Sequence, residues 1–129
     1  AQAFRYLRNH SLIEKRADSL EADRKLPELG VTYHVGEDFL DVVDGLRAVE
    51  EAVIFLNMKC GDRIGHGLVL GVDAEEWYQL KNDRVMLSQQ EYLDNLVWLY
   101  MKIKSYGLEN CQEVLLHIEE EYEKYFHNV

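Results

Sequence analysis

The stretch TYHVGEDFLDVVDGL, Thr32 to Leu46, decides how the fold of this chain is interpreted. It begins inside a short apolar segment, Val31 to Val35, that has the composition of a β strand. His34 lies near the end of that segment, and a glycine and two acids follow at once. A turn can be built from any mixture of Gly, Asn, Asp and Ser. A histidine at this position therefore indicates a candidate functional residue.

A second stretch, GDRIGHGLVLG from Gly61 to Gly71, repeats the arrangement, with His66 between two glycines after a strand-like segment at Arg63 to Gly65. Between the two stretches, the range 41–57 is predicted to be a helix. Its apolar residues recur at intervals of three and four, which is the helical period, and they are Val42, Leu46, Val49, Val53 and Leu56. Strand, helix, strand predicts a parallel pair with a right-handed crossover, with both histidines at the carboxyl ends.

Upstream of the first strand, the sequence predicts one more helix, from Ser11 to Leu26. Pro27 ends it, because the residue before a proline avoids the helical region. Gly30 then leads into the strand. Helix followed by strand across a short loop containing glycine is half of a βαβ unit, so the first part of the chain is predicted to be α/β.

The second half of the chain is predicted to be helical from Asp73 onward. Two capping boxes, DAEE at 73–76 and SQQE at 88–91, mark helix starts, and NCQE at 110–113 is a variant with Asn110 as the cap. Gly107 suits the carboxyl cap of the helix that starts at Ser88. The last two helices are therefore predicted to form an antiparallel hairpin.

Composition limits the class of protein. With 129 residues, 47% of them hydrophobic and 29% charged, the chain fits one soluble domain with a modest core. No apolar run is long enough for a membrane span and the amino end lacks a signal-peptide core, so a cytoplasmic location is expected. The formal charge of −10 argues against binding a nucleic acid backbone. Cys60 and Cys111 lie far apart, which argues against a disulfide framework.

Two histidines at the carboxyl ends of parallel strands are candidates for chemistry, because functional side chains collect at that edge of such sheets. A neutral imidazole is a good zinc ligand, and a carboxylate such as Glu37 beside His34 can carry a proton for a metal-activated water. A histidine at a strand end is also often a structural residue. The residues taken alone leave both interpretations open.

The segments HVGED, GLRAVEEAVIFL and GDRIGHGLVLG together resemble the adenosine deaminase family of metal-dependent hydrolases. In that family the fifth and sixth barrel strands end in His-Ala-Gly-Glu and Arg-Ile-Gly-His-Gly. The resemblance covers about Val31 to Gly71, with Val35 in place of the usual alanine. It implies a (β/α)8 barrel, also called a TIM barrel, that holds one zinc ion and displaces the 6-amino group of adenine with water.

Carried over by position, the resemblance implies roles for four residues of the two segments. His34 would be a zinc ligand, and Glu37 would be the acid that protonates the purine ring. His66 would orient or stabilise the attacking hydroxide, and Gly36 would contact the substrate. The implied partner is a purine nucleoside or nucleotide, and the residues do not distinguish adenosine, AMP, ATP or an adenine in RNA.

Other parts of the family site have no counterpart in this sequence. There is no His-x-His, which the family uses for two zinc ligands on its first strand, and the Asp of its last strand is also missing. We therefore expect the chain to be an internal fragment, with 1–72 forming strands five and six of the barrel and 73–129 a helical insertion. The longer stretch GEDFLDVVDGLRAVEEAVIFLN, residues 36–57, also resembles the sequences of large bacterial deaminase-like proteins. The fragment alone is expected to be inactive, to bind zinc poorly and to self-associate.

A second class of function stays open beside the deaminase. The chain is also consistent with a noncatalytic helical interaction or oligomerisation module that derives from a deaminase and keeps its histidines as relics. The aromatic residues of the hairpin would then contact another subunit. Sequence on either side of the chain distinguishes the two, because His-x-His upstream and acids downstream favour the enzyme.

Overall fold

The computed structural model describes residues 30–127 as a mixed α/β arrangement in which two strands precede a helical segment. The elements in chain order are β1 (Thr32–Val35), α1 (Val42–Phe55), β2 (Arg63–His66), a 3-10 turn (Leu68–Gly71), α2 (Ala74–Leu80), α3 (Gln89–Tyr106) and α4 (Gln112–Phe126). The predicted α/β class is confirmed at this level. The helix predicted from Ser11 to Leu26 lies outside the described residues.

The two strands form a parallel pair, as the strand–helix–strand order predicts. Thr32 lies opposite Arg63, and Val35 lies opposite His66. At the amino end of the pair, the backbone N–H of Val31 donates to Oδ1 of Asp62 at 2.8 Å, so the strand begins on a side-chain acceptor. Helix α1 connects the strands, which places their carboxyl ends at the same edge.

The core lies between α1 and the turn that follows β2. Its centre is a cluster of three buried valines, Val42, Val49 and Val69. On α1 the buried positions are Val42, Gly45, Val49 and Ala52. Val53, which the sequence placed on the buried stripe, is instead 39% exposed. Successive helical positions differ by about 100° in direction, so burial of Ala52 turns Val53 away from the core.

Helix starts and stops in the second half follow the side chains that the sequence marks, with one exception. Asp73 accepts from the N–H of Glu76 at 3.0 Å, and Ser88 and Glu91 form a complete capping box. Gly107 ends α3 in the left-handed region at φ 58°. Asn110 was wrongly predicted as a cap, because it adopts φ 65°. Asparagine tolerates this left-handed turn conformation, and α4 starts after Cys111 without a side-chain cap.

Helices α3 and α4 form the predicted antiparallel hairpin. Near the start of α3, Tyr92 donates its hydroxyl to Oε2 of Glu121 at 3.1 Å. Gln89 donates from Nε2 to the carbonyl of Tyr125 at 2.7 Å, so the first turn of α3 meets the last turn of α4. Among the described residues no helix combines the length and apolar character that crossing a membrane requires.

Candidate metal centre

The two histidines meet at the carboxyl edge of the strand pair. His34 is the third residue of β1, and His66 is the last residue of β2. Their ring centroids are 4.9 Å apart, and the ring planes make an angle of 69°. Both residues are exposed. The predicted convergence of these side chains from adjacent parallel strands is confirmed.

Gly65 makes room for the ring of His34. The two residues are register partners across the strand pair. A Cβ atom at position 65 would lie 2.7 Å from Cδ2 and 2.9 Å from Cγ of His34. Carbon atoms do not approach that closely, so the observed position of the ring requires glycine here. The glycine is a structural condition for the place of the imidazole.

The turn after β2 has an uncommon backbone conformation at His66. Its φ is 60°, and Gly67 follows with φ 58°. A positive φ is uncommon for a residue with a side chain. Two hydrogen bonds hold the turn: the N–H of Gly67 donates to the carbonyl of Val35 at 3.0 Å, and that of Val69 donates to the carbonyl of Gly36 at 2.9 Å. The backbone therefore ties His66 to the end of β1.

Gly36 is buried, with φ 84°, between the strand pair and the core. A Cβ atom there would lie 3.0 Å from Cγ2 of Val49 and 3.1 Å from Cγ1 of Val69. Both the left-handed conformation and the close packing require glycine. The role of Gly36 in binding substrate stays a prediction.

Glu37 follows Gly36 in the chain and has a buried carboxylate oxygen, Oε2, without a hydrogen-bond partner among the described residues. The residue as a whole is half-buried. An unsatisfied buried carboxylate oxygen carries a desolvation cost of about 1–3 kcal/mol or more. A cation, a proton or a polar ligand at this atom would remove that cost.

His34, Glu37 and His66 together form a group whose donor atoms lie close enough to be candidates for holding a metal ion. Each offers one donor atom, and the three atoms lie within 4.8 Å of one another. Two imidazoles and one carboxylate are a known donor set of catalytic zinc sites. Within the described part of the chain, no other three His, Cys, Asp or Glu side chains meet in this way. The resemblance gave only His34 as a direct ligand, whereas the geometry brings all three donors to one place.

Sequence reasoning missed the side chains that hold the loop carrying Glu37. Asp41, at the end of this loop, is 7% exposed. Its Oδ1 accepts from the hydroxyl of Tyr78 at 2.5 Å, and its Oδ2 accepts from Nδ2 of Asn95 at 3.4 Å. The partners come from α2 and α3, far along the chain, and neither residue belongs to a recognisable motif. Burial and the hydrogen bond to Asp41 raise the pKa of the Tyr78 hydroxyl, which stays a donor.

Comparison with known proteins supplies no support for the deaminase assignment. A scan against models of protein families and a search of curated proteins found no match to this chain. The functional proposal therefore depends on the deaminase-like segments of the sequence and on the cluster of His34, Glu37 and His66.

Proposed function

We propose that this chain contributes part of the active site of a zinc-dependent purine deaminase, which removes the 6-amino group of an adenine base by hydrolysis. The observation that carries the proposal is the meeting of His34, Glu37 and His66 within 4.8 Å at the carboxyl ends of two parallel strands. In this proposal, 1–72 supplies strands five and six of a (β/α)8 barrel and 73–129 is a helical insertion. The parent protein acts in the cytoplasm.

Each residue of the cluster has a separate task. Zinc, when bound, supplies the Lewis acidity that makes water nucleophilic near neutral pH. His34 holds the ion through its imidazole. Glu37 carries a proton to a ring nitrogen of the purine, and its unpartnered Oε2 leaves it able to do so. His66 orients the attacking water by a hydrogen bond from its ring.

The remaining ligands belong, in this proposal, to other parts of the full-length parent. The sequence contains five histidines and no His-x-His. A catalytic zinc takes three protein ligands and keeps one position open. If Glu37 moves protons and His66 orients water, His34 alone binds the metal from this chain. The isolated chain is then inactive and binds zinc weakly.

The test uses the full-length parent. Zinc is measured by elemental mass spectrometry, and ammonia release is measured with adenosine, AMP, ATP and an adenine-containing RNA. The proposal expects about one zinc per active site and ammonia from at least one of these substrates. His34→Ala is expected to lose zinc and activity, while His117→Ala, at an exposed position on α4, keeps both. A zinc-loaded parent that releases no ammonia from any of the four contradicts the proposal.

The second candidate, a self-associating helical module, is favoured by one observation. An apolar groove runs between α3 and α4, and its lining includes Leu96, Val97, Met101 and Ile118. Val97 is 48% and Met101 is 60% exposed. Light scattering of the wild type and of Met101→Glu tests this candidate. Concentration-dependent association that Met101→Glu abolishes supports it, and a wild type that stays monomeric contradicts it.

A further inference from the structure

We infer that the helical segment after the strand pair positions the loop that carries Glu37, and that Asp41 is the positioning residue through which it acts. The inference rests on the proposed function for its catalytic consequence. It rests on hydrogen bonds and ring contacts for the positioning itself. The loop, which we call the Glu37 loop, comprises residues 36–41 and connects β1 to α1.

The amino end of the Glu37 loop is fixed by the strand pair. Gly36 is buried, and its carbonyl accepts from the N–H of Val69 at 2.9 Å. The close approach of the Val49 and Val69 methyl groups leaves no room for movement toward the core. Glu37 therefore starts from a well-defined backbone position.

The carboxyl end of the loop is fixed by α2 and α3. Asp41 is the residue before α1, where an aspartate commonly accepts from a backbone N–H of the first turn. Its carboxylate makes no such bond. It accepts instead from Tyr78 on α2 and Asn95 on α3. A local capping hydrogen bond is thus replaced by contacts between distant elements.

The orientation of the Asn95 side-chain amide follows from Arg47, its hydrogen-bond partner besides Asp41. Nε of Arg47 donates to Oδ1 of Asn95 at 2.9 Å. Because a guanidinium has donors and no acceptor, the amide oxygen must face Arg47, and the amide NH₂ must face Asp41. Asn95 is 3% exposed, so the arrangement is shielded from water. Arg47 is held in turn by Asp44 at 2.9 Å and Glu51 at 3.0 Å on its own helix.

An aromatic contact holds the same loop from α2. The ring of Phe39 lies 5.9 Å from that of Trp77, which is the neighbour of Tyr78. The rings of Trp77 and Tyr78 are themselves 5.1 Å apart and nearly perpendicular. Two consecutive residues of α2 therefore contact two residues of the Glu37 loop, one by ring packing and one by a hydrogen bond.

Fixing both ends of the Glu37 loop matters for chemistry because proton transfer depends on the positions of the reacting groups. A displacement of about 1 Å at a reacting group can reduce turnover by about a hundredfold. Asp41 lies in the same short loop as Glu37 and touches neither histidine of the metal cluster in any described contact. It acts through the loop. The helical segment is then part of the working site, although it supplies no donor atom to the cluster.

The test exchanges donor and acceptor between Asp41 and Asn95 in the full-length parent. Asp41→Asn places two amide groups against each other, and Asn95→Asp places two carboxylates against each other. The double variant restores one carboxylate and one amide, with the new carboxylate facing Arg47. Tyr78→Phe is a milder variant that removes one hydroxyl. Tyr92→Phe is the matched control, because its hydroxyl bonds to Glu121 within the hairpin.

Two quantities are measured for each variant: amide hydrogen exchange of residues 37–41 in metal-free protein, and turnover at equal zinc content. We expect each single exchange variant to speed loop exchange and slow turnover by about tenfold or more. Tyr78→Phe shifts both in the same direction by a smaller factor, and the double variant returns both to within about threefold of wild type. Tyr92→Phe leaves both unchanged.

The inference is overturned if the single variants and Tyr78→Phe keep wild-type loop exchange, or if the double variant folds and recovers neither quantity. Its failure is distinct from that of the proposed function. A wild-type parent without deaminase activity refutes the deaminase, while the exchange measurement still decides whether α2 and α3 hold the loop. Normal deaminase activity in all variants refutes the positioning role alone.

Discussion

The ring of His34 meets the ring of His66 edge to face, at 4.9 Å between centroids, across the pairing of two parallel strands. Strand register alone would not bring the rings together, because His34 pairs with Gly65 and His66 with Val35, and successive residues of a strand point to opposite faces. His66 ends β2 with φ 60°, outside the extended region, and its ring meets that of His34. The cluster with Glu37 therefore depends on the left-handed turn after β2 as well as on the strand pair, and small changes beside it test how strongly this backbone geometry controls the chemistry.

Replacing Gly65 by alanine is expected to disturb the cluster without unfolding the chain. The new methyl group would lie within 3 Å of the ring of His34, so the ring must rotate or shift. We expect zinc affinity of the full-length parent to fall by about tenfold or more, in line with losses caused by misplaced ligands. Competition with a chelating dye measures it. Gly71→Ala is the control, since nothing lies within 4 Å of a Cβ there, and equal affinity of both variants would show that His34 does not depend on Gly65.

Gly45 lies inside α1, where alanine normally favours a helix by about 1 kcal/mol. Here the opposite is expected, because the new Cβ would lie 2.8 Å from Cγ2 of Val69 and 3.0 Å from Cβ of Phe39. We expect Gly45→Ala to lower the free energy of unfolding by about 1–3 kcal/mol, the usual cost of overpacking. Urea denaturation measures this. Val53→Ala on the exposed side of the helix is the control, and a stabilised Gly45→Ala would contradict the described packing.

The pair of Glu50 and Lys102 is expected to make stability depend on pH. The hydrogen bond from Lys102, assisted by one from Trp98 and opposed by burial, lowers the pKa of Glu50 from 4.5. A carboxylate with a lowered folded pKa stabilises the folded state above 4.5 and loses that contribution as the pH falls through its folded pKa. Lys102→Met is expected to cost about 0.5 kcal/mol near neutral pH, a value typical of partly exposed pairs.

Urea denaturation at several pH values checks this expectation. The difference in free energy of unfolding between wild type and Lys102→Met should shrink as the pH falls and Glu50 becomes protonated in both proteins. Lys104→Met, on the same helix, is the control. The Lys104 ammonium lies over the ring of Tyr100, 5.4 Å from its centroid, and this contact involves no carboxylate that becomes protonated at acid pH. A difference that grows toward acid pH would contradict the ion pair.

Sequence alone predicted the parts of the structure that depend on local pattern. The strand–helix–strand order placed His34 and His66 together because a single crossover helix brings consecutive strands side by side. Ser88 with Glu91 marked the start of α3, because a capping box needs only residues three positions apart. The barrel and the metal roles stay predictions, since they come from the resemblance.

Contacts between distant elements could not be predicted in this way. Asp41 meets Tyr78 and Asn95 because α2 packs against the valine cluster and α3 packs against α1, and no periodicity or spacing reports such packing. Asn110 shows a different limit, because asparagine suits both a helix cap and a left-handed turn, and the sequence does not separate them.

In the proposed deaminase His34 binds zinc while Glu37 moves the proton, and Glu37→Gln in the full-length parent tests this division of roles most directly. The amide keeps the size of the side chain and removes its acid. We expect zinc content equal to wild type and turnover of adenine substrates lower by about a hundredfold or more, whereas His34→Ala should lose the zinc as well. Normal turnover in Glu37→Gln, or full zinc content in His34→Ala, would contradict the account.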